Sequence, residues 1–128
     1  MAFAHLHCKS GTIAVSDILT TVAAANTIVA AEKSKRFKVV DVAVRSQGNA
    51  DGSTAILVGP IGEVAWQMTT TDMDNLVINR ADSANVTATH LGHWSPADVP
   101  IAMLRTGTVT TTATTIDYWV YYLVEGGN

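Results

Sequence analysis

Hydrophobic and polar positions alternate along this 128-residue chain in short stretches with a period of two, the signature of strands with one buried face. Phe3–Val15 alternates weakly, with Ser10-Gly11 as a break, and predicts one or two short strands. Ser16–Ala25 is the single helix candidate. Ser16 can cap its start, Asp17 suits the positive end of its dipole, and Ile18, Val22 and Ala25 fall at helical spacing. Thr20, Thr21 and Val22 are poor helix formers, which limits this element to a turn or two. Thr27–Ala31 then leads into a polar turn around Glu32–Lys35.

Phe37–Ser46 reads as a strand with Val40, Val42 and Val44 on one face and Asp41, Ala43 and Arg45 on the other. The turn-rich run from Gln47 to Gly52 joins it to Ser53–Val58, and the pair predicts a hairpin. Gly59-Pro60-Ile61-Gly62 breaks the chain. Glu63–Thr69 follows as a half-buried strand, with Val64, Trp66 and Met68 facing inward. Leu76–Asn79 and Ala84–Thr89 are two shorter strands, and His90–Pro100 is the longest irregular stretch, punctuated by Gly92, Pro96 and Pro100. Ile101–Arg105 returns to strand, and Gly107 marks the turn into the C-terminal run.

That run, Thr106–Val124, is saturated with β-branched and aromatic residues, which fit a pleated surface. Ile116, Tyr118, Val120, Tyr122 and Val124 line one face of a strand; Trp119, Tyr121 and Leu123 line the other. Both faces are largely apolar, so the strand is expected to lie deep in a sheet system or to have one face against another chain. The whole pattern gives about eight short strands with turn signals roughly every 8–12 residues, an all-β antiparallel sandwich or barrel. The length suits a single domain over residues 1–128.

Composition sharpens this picture. Charged residues make up 15% of the chain, against about 25% in a typical domain, so much of the surface is expected to be covered by neighbours. The net charge of −3 argues against nucleic-acid binding. Lys33, Lys35, Arg36 and Lys38 form the densest basic cluster and read as a solvated turn. Cys8 is the single cysteine and excludes an intrachain disulfide. No stretch approaches the ~18 apolar residues of a membrane span, and the N-terminus lacks a leader pattern, so no membrane association is expected.

Candidate chemistry is sparse. His5 and His7 share a strand face, and His90 and His93 lie three apart in a loop, but no zinc-type spacing accompanies them and no metal is expected. Asp72-Met73-Asp74-Asn75 reads as a solvated turn, since the glycine and distal glutamate of a calcium loop are missing, and Asn49–Ser53 has cation-binding atoms but reads as a turn through its Asp-Gly pair. Nucleophile elbows and phosphate loops are absent from the sequence, so neither an enzyme nor a cofactor is expected. Trp94, in the Gly/Pro loop, is a candidate anchor for a protein partner.

The run Lys35–Ser46 with Gly48–Thr54, and the ending Thr111–Tyr122 in which a threonine-rich strand leads into Asp-Tyr-x-Val-x-Tyr, resemble small virion proteins of tailed bacteriophages. The resemblance covers about half of the chain and points to jelly-roll capsid decoration, or cement, proteins. It implies a β-sandwich of jelly-roll type that binds the major capsid protein on the outside of the head. It also implies a homotrimer, or alternatively a dimer, assembled in the host cytoplasm and carried on the virion. Trp119, Tyr121, Leu123 and Trp94 are the expected interface residues. The alternative function is a carbohydrate- or receptor-binding module of a tail or head fibre, which requires an exposed aromatic row flanked by Asn or Asp. A third, a small metal-dependent cupin-like enzyme, requires convergence of His5, His7, His90 and His93.

Overall fold

The computed structural model describes residues 5–14, 26–48, 55–69, 74–106 and 115–126. The helix expected in Ser16–Ala25, the Asn49–Ser53 turn, Asp72-Met73 and the Gly107 turn lie outside them. The described residues form nine strands: β1 (Leu6–Ala14), β2 (Asn26–Val29), β3 (Lys35–Gln47), β4 (Ala55–Pro60), β5 (Trp66–Thr69), β6 (Ile78–Arg80), β7 (Val86–Thr87), β8 (Ile101–Thr106) and β9 (Thr115–Gly126). They make two antiparallel sheets, one in the order β1-β9-β3-β6 and the other β2-β8-β4-β5-β7.

The pairing runs from the ends of the chain inward. β1 pairs with β9, β2 with β8, β3 with β6, and β4 with β5. A long hairpin rolled across two sheets gives this pattern, which is the jelly-roll wrapping. β7 is an added strand outside β5. The all-β antiparallel sandwich expected from turn spacing is therefore the observed fold.

Three local expectations differ. β1 is one continuous strand, and Ser10-Gly11 pairs straight through opposite Trp119 and Tyr118. Gly11 lets the Tyr118 side chain approach closely: a Cβ there would fall 2.6 Å from its Oη, so the ring would have to shift. The hairpin predicted from Phe37 to Val58 does not form, because β3 and β4 belong to opposite sheets. A turn-rich link is equally compatible with a crossover between sheets, and burial on facing layers decides between them. Finally, a bulge between Val39 and Asp41 shifts the inward set of β3. Phe37 and Val39 face the core before it and Val42 and Val44 after it, while Val40 is half-buried.

The core lies between the sheets. Phe37, Val39, Val42, Val44, Ile116 and Val120 pack from the first; Ile28, Ile56, Val58, Trp66, Met68, Ile101 and Met103 pack from the second. Each fully buried aliphatic side chain contributes about 1.5–3 kcal/mol relative to exposure. Trp66 is fully buried, yet its indole Nε1 finds no acceptor among the described residues. An unpaired buried donor costs about 1–3 kcal/mol. Trp66→Phe removes that donor and keeps most of the ring, so urea denaturation should show a loss below about 1.5 kcal/mol, against ~3–5 kcal/mol for Trp66→Ala.

Candidate functional site

Register places the outward face of the first sheet residue by residue. Leu6, Leu123 and Lys38 form one row, Cys8, Tyr121 and Asp41 the next, and Ser10, Trp119, Ala43 and Arg80 a third. Thr12, Asp117, Arg45 and Ile78 form a fourth. Trp119, Tyr121 and Leu123 thus point away from the core, on the face opposite Ile116 and Val120, and each is half-buried. Leu6 is 63% exposed and Ile78 48%. Trp119, Tyr121, Ala43, Ile78 and Arg80 line a shallow concavity of about 120 Å³ on this face.

Trp94 reaches the same face by an unexpected route. The His90–Pro100 stretch, irregular by its glycine and prolines, is stitched along the free edge of β3. Gly92 N donates to Val39 O at 2.9 Å, Ser95 N to Phe37 O at 2.7 Å, and Asp98 N to Lys35 O at 3.0 Å. Phe37 N donates in return to Ser95 Oγ at 2.9 Å. Trp94 is thereby paired across from Lys38, whose Nζ lies 4.7 Å from the indole centroid, with the Arg36 guanidinium 5.5 Å away. The structure brings all four predicted interface residues to one sheet face.

The basic cluster is a solvated turn only at Lys33, which sits in an exposed turn with Ser34. Lys35, Arg36 and Lys38 lie in β3. Lys35 pairs with Glu32 at 2.8 Å and Arg36 with Glu125 at 2.6 Å, while Lys38 sits over Trp94. Both ion pairs are exposed and contribute little to stability. The Arg36–Glu125 pair satisfies charge at one end of the face, while Asp41 lies beside Tyr121 and Arg80 lines the concavity with Trp119.

A polar knot that the sequence reading did not single out fixes this face. Asp117 is buried among the aromatic residues of β9. Its Oδ1 accepts from Thr12 Oγ1 on β1 at 2.8 Å. Its Oδ2 accepts from Arg45 Nε at 3.0 Å, Arg45 Nη2 at 2.9 Å and Gln47 Nε2 at 2.8 Å, all on β3. Arg45 then lies over the Trp119 ring at 5.5 Å. One carboxylate so ties three strands and orients the cation beside the central aromatic. An aspartate inside an otherwise apolar strand was the available signal, since a buried carboxylate requires partners.

The four histidines do not converge. His7 stacks on Tyr122 at 5.2 Å, and His90 and His93 meet edge-on at 5.9 Å. His7 pairs with Tyr122 and Tyr122 with Val39, whose far edge receives Gly92, so β9 and β3 stand between the two pairs. His90 Nδ1 also contacts Val64 O at 3.0 Å. Among the described residues no three His, Cys, Asp or Glu come together as a metal site would need, and the cupin-like arrangement is not present. A second concavity, about 230 Å³ and mostly apolar, lies on the outer face of the other sheet beside Leu57, Gly59, Ala102 and Leu104.

No family model matches the chain, and no curated protein matches it. Among solved structures, a chain of the cyanophage Pam1 capsid asymmetric unit superposes with a TM-score of 0.55. The match covers 94% of this chain and 85% of that one at 16% identity, a likeness of fold.

Burial pushes the pKa of Asp117 up, but the hydrogen bonds from Thr12, Gln47 and Arg45, with the Arg45 charge, outweigh it and hold the carboxyl below the ordinary range. A carboxylate depressed in the folded state stabilises fully above its unfolded pKa, and that contribution is lost as pH falls through the folded value. In denaturant titrations, the parent should lose stability on acidification below roughly pH 4 more steeply than Asp117→Asn, which is less stable at neutral pH and flatter in acid.

Proposed function

We propose that this chain is a structural, non-enzymatic virion protein that decorates a phage head, docking on the major capsid protein through the outer face of the β1-β9-β3-β6 sheet. The observation that carries the reading is the convergence of Trp119, Tyr121, Leu123 and Trp94 on one sheet face, where the Asp117 network orients Arg45 over Trp119. Aromatic anchors ringed by satisfied polar groups are the usual centre of a protein interface. The fold-level likeness to a chain of the cyanophage Pam1 capsid asymmetric unit supports the same direction. Modest affinity per copy, repeated over many neighbours, suffices to hold a lattice. Exposure on the virion surface after assembly in the host cytoplasm follows from this reading.

The cations on this face favour docking over the carbohydrate-module alternative. Sugar stacking needs bare ring faces flanked by Asn or Asp. Here Arg45 lies over Trp119, Lys38 and Arg36 lie beside Trp94, the Asp117 oxygens are occupied within the protein, and Asp41, beside Tyr121, accepts from Val42 N through its Oδ1.

The test is binding to purified heads of the phage that carries the gene, stripped of this protein and followed by light scattering. Trp119→Ala and Tyr121→Ala should each weaken occupancy by roughly thirtyfold, since a central interface aromatic is worth about 2 kcal/mol or more, with the β circular-dichroism spectrum intact. Two folded variants that bind like the parent would move the interface off this face.

A further inference from the structure

Among the described residues four strands end the two sheets, and three of them are poor templates for another chain. β6 has three residues and β7 two, while β2 has four and carries a bulge between Thr27 and Val29. Short or bulged edges are how proteins avoid pairing edge to edge. β1 is built otherwise. It runs nine residues, pairs with β9 without a register shift, contains no proline and bears one full charge, Lys9. Leu6 through Ser10 are exposed. A long, regular, nearly neutral edge is a template for a further strand.

We propose that β1 is the seam of a two-fold dimer, in which β1 of a second copy pairs with it antiparallel and joins the two first sheets into one. The strand is self-complementary in the register of greatest overlap. Full pairing of Leu6–Ala14 with itself puts the dyad at Ser10, the middle residue of the strand. Leu6 then opposes Ala14 of the second copy, Cys8 opposes Thr12, and the two Ser10 hydroxyls meet at the axis, a favourable cross-strand pair. Lys9 opposes Gly11, so the lone charge faces a residue without a side chain rather than its own copy. Gly11 also accommodates the Tyr118 ring packed against it. Any other strand would need a matching edge, whereas every copy brings this one. A two-fold seam also uses both edges and stops, which gives a closed dimer, not a filament.

The seam has a consequence for docking. Leu6 and Cys8 share the outward face with Leu123 and Tyr121, so pairing at β1 makes the apolar faces of two copies continuous. The proposal stands independently of what that face binds.

Cysteine placement tests the register directly. In this dimer the native Cys8 residues lie four positions apart along the seam, ~13 Å at about 3.3 Å per residue and beyond disulfide reach. Residues at position 10 are directly opposed, within reach. Under mild oxidation with copper phenanthroline, Ser10→Cys on a Cys8→Ser background should convert largely to a covalent dimer, while the parent should not. Light scattering of the parent should give twice the 13.5 kDa of one chain. Trp119→Ala should keep that dimer even where it loses head binding, which separates this proposal from the docking reading. A monomeric parent mass would overturn it. So would a dimer in which position 10 fails to cross-link, or one that Trp119→Ala dissociates.

Discussion

Strand β9 pairs along its length with β1 on one side and β3 on the other, and the rest of the structure depends on that double registration. A central strand must satisfy both ladders at once, so a slip of one residue would turn every side chain to the wrong face. The chain guards against this with chemistry on both faces. Ile116 and Val120 enter the core, where a slip would expose them, and Asp117 faces outward, where a slip would bury its carboxylate without partners. The apolar face sets the energy of the pairing, and the buried carboxylate sets its register.

From that registration the proposed docking surface follows. Because β9 is central and its outward side chains are Trp119, Tyr121 and Leu123, the first sheet carries an apolar stripe that the second sheet cannot cover. The bulge after Val39 turns Lys38 outward in step with Leu123, and the His90–Pro100 segment, bonded to the edge of β3, sets Trp94 against it. Arg36, Lys38 and Arg45 spend their charge on Glu125, two indoles and Asp117. What remains is a surface suited to a protein neighbour.

Strand identity was legible because β-branched and aromatic residues alternate over short runs, and that periodicity survives in nearly every element. Which strands pair was not legible. The turn signal after β3 describes a local bend, but the partner of β3 is chosen by burial across residues far apart, Val42 with Val120 and Val44 with Tyr118. The bulge at Val39–Asp41 was hidden for a similar reason, since Val39, Val40 and Val42 are equally apolar and packing alone selects among them. The residues proposed for the interface stand out in the sequence as a two-faced apolar strand plus a loop tryptophan. Their convergence, and the Thr12–Asp117–Arg45–Gln47 knot beneath them, required the third dimension.

The central claim is that the outward face of the β9 sheet meets a neighbour, not water. A cryo-electron reconstruction of heads saturated with this protein tests it most directly. The account predicts density in which Trp119, Tyr121 and Leu123 lie against the shell, with the second sheet turned to solvent. A reconstruction in which that face is open to solvent, and the shell is touched by the Leu57–Leu104 face or by the ends of the sandwich, would contradict it.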